Sequence, residues 1–302
     1  MASGHDASVN IRGDFRPDGS TDPGGVPLVT MSAGAVRALL ERHGLEPRRS
    51  MGQNFMVDHN TIERIAAASH VGPGDRVVEI GPGLGALTTA LAGTGADITA
   101  IEADRAILPV LDDVFTTAGV ADRVRVVHAD AAAVNWSDVI GDAPCHLVAN
   151  LPYNIATGLV CDMLADVAQI MTMTVLVQAE VAERMTAHPH TRQIGAVTLK
   201  VAHRADARIV MRVPPTVFVP RPRVDSAVVH LVRHQRQPPD VDEAVLWDLV
   251  RTAYAQRRKM LRRSLAGVTD ITTIDAAGID PTARPEHLDL DAWYRLAREV
   301  AR

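Results

Sequence analysis

Two short motifs in this chain carry residue types that could perform chemistry together. The tetrad Asn150-Leu151-Pro152-Tyr153 supplies a side-chain carbonyl, backbone carbonyls and an aromatic ring. These groups suit the exocyclic amino group of a flat base, because the amino hydrogens need acceptors and the base needs a stacking face. About seventy residues upstream, the glycine-rich run Glu79–Gly85 permits a tight turn that a ligand can approach closely. Together the motifs predict a site that holds a sulfonium methyl donor beside a purine amino group.

The glycine run alone is ambiguous. Counted from Gly83, the sixth position of a dinucleotide-binding fingerprint is Thr88, and counting from Gly81 gives a poorer match, so a nicotinamide site stays open. Two later carboxylates favour an adenosyl group instead. Glu102 and Asp130 each follow a predicted strand, where Glu102 can accept bonds from both ribose hydroxyls and Asp130 from an adenine amino group. The alternative is that both are solvated carboxylates at strand ends.

Alternating β-rich and helix-compatible segments predict an α/β fold with a parallel, doubly wound sheet. Strands are expected at 76–80, 97–101, 124–128, 146–149 and 172–178, and helices at 33–43, 59–70, 84–93, 105–118 and 155–168. Later in the chain, the pattern predicts strands at 196–202 and 227–232 and helices at 243–265 and 291–301.

Length and composition predict two domains. The chain has 302 residues, 47% of them apolar, and the proline-containing stretch 235–240 puts a boundary near residue 236. We expect a catalytic domain at 29–236, a smaller, mostly helical RNA-binding domain at 237–302, and a disordered arm at 1–28, which is rich in Gly, Asp, Ser and Pro. No run approaches the ~18 apolar residues of a membrane span. The two cysteines indicate neither a disulfide framework nor a zinc site, so we expect a cytoplasmic protein without a metal.

Charge is distributed unevenly along the chain. The net charge is −5, yet residues 75–150 hold 11 acidic and 4 basic residues, whereas residues 184–263 hold 16 basic and 6 acidic ones. The second block can meet phosphates, so the acidic total does not exclude a nucleic acid partner. Five cations fall between Arg257 and Arg263 on a predicted helix, where cations four residues apart repel. A phosphate partner would offset that repulsion, which favours an RNA contact over a solvated helix face.

The tetrad also indicates how an amino group could be activated. The lone pair of an adenine amino nitrogen is delocalised into the ring, so the nitrogen must be turned toward the methyl donor. The Asn150 side-chain oxygen and the carbonyl of Leu151 or Pro152 could accept the two amino hydrogens while Tyr153 stacks on the base. No strong general base is needed, and the N–H left after one transfer permits a second. The alternative is a proline turn with an asparagine cap and a core tyrosine.

With these motifs the chain resembles the bacterial small-subunit (16S) ribosomal RNA adenine N6,N6-dimethyltransferases. The resemblance runs from about Leu39 to Leu265. Besides the motifs above it includes the segments Gly52–Asp58, Gln178–Arg184, Val217–Ser226 and Arg257–Arg262. It implies a Rossmann-like methyltransferase that uses S-adenosylmethionine to dimethylate two adjacent adenosines near the 3′ end of that RNA. The implied setting is ribosome biogenesis, with the protein acting as a monomer on an immature 30S subunit.

The resemblance further implies roles for individual residues. Phe218 would form a second aromatic wall opposite Tyr153; the alternative is a core aromatic that anchors a proline-rich turn. The cofactor would be held by Gln53, Asn54, Met56, Gly81, Gly83, Glu102, Asp130 and Asn150, and the RNA by Arg221, Arg223, Arg257, Arg258, Lys259 and Arg262.

Two rival functions stay open at this stage. The large-subunit ribosomal RNA methyltransferases that confer macrolide resistance share the glycine run and the tetrad, although the longer C-terminal segment of this chain favours the small subunit. A chiefly non-catalytic assembly factor for the small subunit could also keep the cofactor fold. The intact Asn150 and Tyr153 favour catalysis over that second alternative.

Overall fold

The computed structural model describes residues 31–48, 51–235 and 239–302, so the arm expected at 1–28 lies outside the described residues. The chain divides into two compact units. The first runs to Ala179 and resumes at Ile209–Leu231, and the second comprises Glu180–Arg208 and Val232–Arg302. This division differs from a single boundary near 236, because the segment before Ile209 packs with the C-terminal helices. The assignment of catalysis and RNA binding to separate domains stays a prediction.

Most of the strands belong to one sheet. The strands are β1 (Phe55–Met56), β2 (Arg76–Ile80), β3 (Asp97–Glu102), β4 (Val124–His128), β5 (Cys145–Asn150), β6 (Ile170–Gln178), β7 (Ala205–Val213), β8 (Phe218–Val219) and β9 (Ser226–Arg233). In the described part of the chain, seven of them form a mixed sheet in the order β4-β3-β2-β5-β6-β9-β7, and β1 pairs with β8. The pairs β3–β4, β2–β3, β2–β5 and β5–β6 are parallel, so the doubly wound α/β prediction is confirmed.

Helices connect these strands and form most of the second unit. They are α1 (Ala33–Arg42), α2 (His59–Ser69), α3 (Ala86–Gly93), α4 (Leu108–Thr117), α5 (Trp136–Ile140), α6 (Ala156–Asp166), α7 (Ala179–Met185), α8 (Ala196–Arg204), α9 (Glu243–Ala255), α10 (Leu261–Ser264), α11 (Ile271–Ala276) and α12 (Leu290–Val300). α2 begins after Asp58, whose side chain accepts from the Thr61 amide as an N-cap. No helix among the described residues is both long and apolar enough to cross a bilayer.

The core of the first unit lies against the central strands. Leu147, Val148 and Ala149 of β5 are at most 1% exposed, as are Val77 and Val78 of β2. A parallel strand covered on both faces carries consecutive apolar residues instead of an alternating pattern. This burial explains why these strands could be predicted from short apolar runs.

The strand predicted at 196–202 is wrong, because these residues form α8. Their β-branched side chains favour a strand by propensity alone. Thr198 overrides that preference: its hydroxyl accepts from the Gly195 amide and donates to the Arg184 carbonyl, which fixes the first turn of a helix. Helical spacing then places Leu199 in the core of the second unit.

The helix predicted at 243–265 is interrupted. α9 ends at Ala255 and α10 begins at Leu261, so Arg257–Lys259 lie in a turn between them. The Leu261 amide donates to the Ala283 carbonyl and the Arg262 amide to the Pro281 carbonyl, which ties the start of α10 to another loop. The prediction that cations four residues apart share one helical face is therefore wrong.

Candidate active site

The predicted site residues meet at one edge of the sheet. Gly81 follows β2, Glu102 ends β3, Asp130 comes two residues after β4, and Asn150 ends β5. The carboxyl ends of parallel strands share an edge, and the strand order reverses between β2 and β5, which opens a crevice there. The crevice is a cavity of about 310 Å³. The predicted residues that line it are Gln53, Asn54, Met56, Gly81, Gly83, Glu102, Asp130, Asn150, Leu151, Pro152 and Tyr153.

The glycine-rich turn forms the floor between β2 and α3. Gly83 has a φ of +57°, and a Cβ there would lie 3.2 Å from the Phe55 ring. Gly85 has a φ of +81°, and its Cβ would lie 2.7 Å from the Phe115 ring, closer than real contacts allow. Both the left-handed conformation and the close packing therefore require glycine at these positions.

Glu102 is held rigidly at the cavity wall. The residue is 7% exposed, and its carboxylate accepts from the Asp104 amide at 2.7 Å. Burial raises the pKa of Glu102, while backbone amides, including that of Gly83, oppose the rise. A fixed acceptor beside the glycine turn suits a pair of ribose hydroxyls.

Asp130 stands at the next strand end along the edge. It is exposed, and one carboxylate oxygen accepts from the Ala132 amide at 2.9 Å. Its Oδ2 has no bonded partner among the described residues, which leaves that oxygen available for a donor such as an adenine amino group.

The tetrad joins β5 to α6. The Leu151 amide donates to the Leu176 carbonyl at 3.2 Å, which continues the strand pairing for one more residue. The Pro152 carbonyl accepts from the amides of Ile155 and Ala156, both at 3.1 Å, and so begins α6. Of the two backbone carbonyls considered for the target amino group, that of Leu151 is therefore the one not engaged in starting the helix.

Asn150 faces the segment that precedes β1. Its Nδ2 donates to the Asn54 carbonyl at 3.4 Å, and this bond does not use the side-chain oxygen. The Asn54 side chain itself donates to the Gly52 carbonyl at 3.0 Å. A Cβ on Gly52 would lie 3.2 Å from the Pro152 Cβ, so the segment packs directly on the tetrad. Asn150 thus keeps an acceptor for a ligand.

Tyr153 is half-buried at the cavity rim. Its hydroxyl lies 2.6 Å from the Ser226 Oγ, at the start of β9. Burial raises the pKa of Tyr153, and the bond to Ser226 opposes the rise only in part. The ring is therefore a neutral, anchored face and not a base. Sequence reasoning missed Ser226 as its anchor, although the residue ends one of the motifs singled out above.

Phe218 does not line the cavity. Its side chain is 2% exposed and belongs to the core, where it pairs with Met56 across β1 and β8. This position corresponds to the core aromatic considered as the alternative. Met56 is itself 6% exposed yet lines the cavity.

Glu79, the first residue of the glycine-rich run, also lines the cavity. The residue is 1% exposed, and its Oε2 has no hydrogen-bond partner among the residues that the structure describes. Burial raises the pKa of Glu79 to about 8, the Glu102 charge adds to the rise, and the Thr88 hydroxyl lowers it. An unsatisfied buried carboxyl on a cavity wall suits a positively charged ligand, because a nearby cation would stabilise its ionised form.

Comparison with known proteins decides the family. The family model described as ribosomal RNA adenine dimethylase matches residues 44–302. The chain belongs to the ribosomal RNA adenine dimethylase family. The resemblance inferred from the sequence motifs is thereby confirmed.

Curated relatives of this dimethylase align over most of its length. It is 42% identical to the ribosomal RNA small subunit methyltransferase A of Cutibacterium acnes, over 90% of this chain and 94% of the relative. Its identity to the protein of that name from Geobacillus kaustophilus is 38%, over 89% and 96%.

Solved structures of methyltransferases share its fold. The 23S rRNA methyltransferase ErmE is 26% identical with a TM-score of 0.62, over 82% of this chain and 100% of that one. A dimethyladenosine transferase from Plasmodium falciparum has a TM-score of 0.69 at 20% identity, over 80% and 95%.

The cations predicted to bind RNA differ in their surroundings. Arg257 is half-buried in the second unit of the dimethylase, pairs with Glu286 at 2.8 Å and donates to the Arg192 carbonyl at 3.1 Å. It therefore braces the turn after α9. The cations that the structure leaves exposed are Arg258, Lys259 and Arg262 in the second unit and Arg221 and Arg223 in the first, between β8 and β9.

Metal ligands are not clustered in the described part of this dimethylase. No group of three or more His, Cys, Asp or Glu side chains there is arranged to hold a metal ion.

Proposed function

We propose that this chain dimethylates the N6 amino groups of two adjacent adenosines near the 3′ end of small-subunit ribosomal RNA, using S-adenosylmethionine. The observation that carries the proposal is the single cavity that brings the tetrad together with Glu102 and Asp130 in a member of the dimethylase family. S-adenosylmethionine suits a cavity that joins the carboxylates to the tetrad, because it combines an adenosyl group with a reactive methyl group.

The residues of the cavity fit this cofactor. Glu102 would accept from the ribose hydroxyls and the Oδ2 of Asp130 from the adenine amino group, while the glycine turn at Gly81 and Gly83 admits close approach. The Oε2 of Glu79, which no described residue hydrogen-bonds, lies on the same wall and suits a cationic group. When bound, S-adenosylmethionine supplies a methyl group activated by its positively charged sulfur.

The tetrad would orient the target amine. The Oδ1 of Asn150 and the Leu151 carbonyl would accept the two amino hydrogens, which directs the nitrogen lone pair into the cavity. Tyr153, fixed by Ser226, would stack on the base, which recovers part of the cost of unstacking it from the RNA. The amine becomes acidic as it reacts, so its proton can leave to water without a protein base.

Phe218 could form a second aromatic wall only if its ring moved out of the core. The ring lies in the core beside Met56, so it must turn out of that position to face Tyr153 across a base. Stacking on a base would offset the lost burial.

The exposed cations supply the proposed RNA contacts. Arg221 and Arg223 in the first unit, and Arg258, Lys259 and Arg262 in the second, would meet backbone phosphates. We assign Arg257 the role of holding the turn in place through Glu286. The proposed partner is the ribosomal RNA of an immature 30S subunit. The protein would act on it in the cytoplasm, as a monomer and without a metal ion.

The large-subunit alternative rests on the likeness to the 23S rRNA methyltransferase ErmE, at 26% identity. The relatives named for the small subunit are closer, at 42% and 38% identity over about nine-tenths of the chain. A purely structural assembly role leaves the intact cavity and tetrad without a use. The higher identity to small-subunit enzymes and the intact site therefore both favour small-subunit dimethylation.

Substrate mapping tests the proposal. The protein is incubated with labelled S-adenosylmethionine and either immature small subunits or large-subunit RNA, and modified adenines are located by primer extension. We expect dimethyladenosine at two adjacent positions of the small-subunit RNA, with the Asn150→Ala variant as the inactive control. Label confined to large-subunit RNA would support the resistance-type activity instead.

A further inference from the structure

Gln53 lines the cavity, but its side chain is bonded elsewhere. Its Nε2 donates to the Asp104 Oδ2 at 3.0 Å, and its Oε1 accepts from the Arg48 amide at 2.8 Å. Both ends of the amide are therefore engaged within the protein. This bonding favours an indirect role for Gln53 at the cofactor site over the direct cofactor contact expected from sequence.

Asp104 is the centre of this network. It is 5% exposed, and its Oδ1 accepts from the Arg48 guanidinium and the Ala106 amide, each at 3.1 Å. Its own amide donates to the Glu102 carboxylate at 2.7 Å. One buried residue thus joins two parts of the site: its carboxylate binds Gln53 in the segment before β1, and its backbone amide binds the Glu102 carboxylate at the end of β3.

We propose that Asp104 is a positioning residue that latches the segment before β1 onto the cofactor cavity. The latch consists of Asp104, Arg48 and Gln53, and it rests on the proposed cofactor function of that cavity. Through its amide Asp104 sets the position of Glu102, and through Gln53 it sets the position of the chain that carries Asn54.

The latch reaches the target side of the site as well. The segment held by Gln53 contains Asn54, whose carbonyl accepts from the Asn150 side chain, and Gly52, which packs on Pro152. A shift of this segment would therefore disturb the orientation of the tetrad. Hydrogen bonds to a buried carboxylate are strong enough to hold it, because an unsatisfied charge there is costly.

A test must separate this positioning role from a general contribution to folding. Three variants weaken the side-chain bonds of the latch with little change in size and leave the backbone amides in place: Asp104→Asn, Gln53→Met and Arg48→Met. Arg105→Met is the matched control, because Arg105 is an exposed neighbour of Asp104 and makes none of the latch bonds. S-adenosylmethionine affinity is measured by calorimetry, and hydrogen exchange of residues 51–56 is followed with and without that ligand.

We expect Asp104→Asn and Gln53→Met each to weaken S-adenosylmethionine binding roughly tenfold. The double variant should be little worse than either single one, because both remove the same bond. The cofactor KM should rise more than kcat falls, and ligand-induced protection of residues 51–56 should be lost. Arg105→Met should bind within about twofold of wild type, since a rim charge of this kind contributes little.

Variants that melt earlier yet bind the cofactor within twofold of wild type, with protection intact, would overturn the latch. If Asp104→Asn does not fold, Gln53→Met and Arg48→Met make the same comparison. Wild-type protein that binds no S-adenosylmethionine would overturn the proposed function, and the latch with it. Wild-type binding combined with unaffected variants would overturn the latch alone.

Discussion

Replacing Glu79 by glutamine should make the protein more stable at alkaline pH. The carboxyl is fully buried on the cavity wall, and burial raises its pKa from an ordinary 4.5 to about 8. Each tenfold change in the protonation equilibrium is worth about 1.4 kcal/mol, so ionising Glu79 in the folded, ligand-free protein costs on the order of 5 kcal/mol more than in the unfolded chain. The folded state holds the proton more tightly than the unfolded chain. The protonated Glu79 carboxyl therefore contributes fully to the free energy of unfolding below pH 4.5, and this contribution is lost as pH rises through about 8.

The assay is urea unfolding of the ligand-free protein between pH 5 and pH 9. Wild type should lose stability across this range relative to Glu79→Gln, which carries no titrating group at this site and keeps a similar shape. Glu41→Gln, at an exposed position on α1, is the matched control and should follow wild type. Parallel curves for wild type and Glu79→Gln would refute the reasoning, because the buried carboxyl would then not titrate differently in the folded state.

Three further predictions concern the tetrad, the glycine turn and the basic turn. Asn150→Ala should lower methyl transfer at least about 100-fold while S-adenosylmethionine affinity, measured by calorimetry, falls much less; wild-type turnover would contradict its role. Gly85→Ala should destabilise the fold by roughly 1 to 3 kcal/mol in thermal unfolding, because the new Cβ would lie 2.7 Å from the Phe115 ring at a positive φ. Adding Phe115→Leu should restore part of that loss. Charge reversal at Arg258 and Arg262 should weaken RNA binding. In titrations at several ionic strengths, the slope of the logarithm of the binding constant against the logarithm of the salt concentration should fall in magnitude by roughly 1 to 2. An unchanged slope would show that these two side chains do not contact RNA.

The sheet edge that carries the candidate site could be located from sequence because it depends on local patterns. Glu102, Asp130 and Asn150 each stand at or just after a short apolar strand, and parallel strands bring such positions to one edge without further information. The glycine turn could also be predicted from a local pattern, because Gly83 and Gly85 adopt backbone conformations that other residues rarely take.

Features that depend on distant contacts could not be predicted. Residues 196–202 have the composition of a strand, and contacts with other parts of the chain, such as the Thr198 bond to Arg184 and the packing of Leu199, stabilise a helix there. The turn after α9 depends on carbonyls of a later loop. The bond between Asp104 and Gln53 could not be predicted from a local sequence motif, because the two residues lie 51 positions apart in the chain.

The most direct test of the account is a crystal structure with a non-reactive cofactor analogue and adenosine bound. We expect the adenosine N6 to lie about 3 Å from both the Asn150 Oδ1 and the Leu151 carbonyl oxygen, with the base on the Tyr153 ring. An adenosine whose N6 points away from Asn150, or a cofactor analogue bound outside the cavity between Glu102 and the tetrad, would contradict the account.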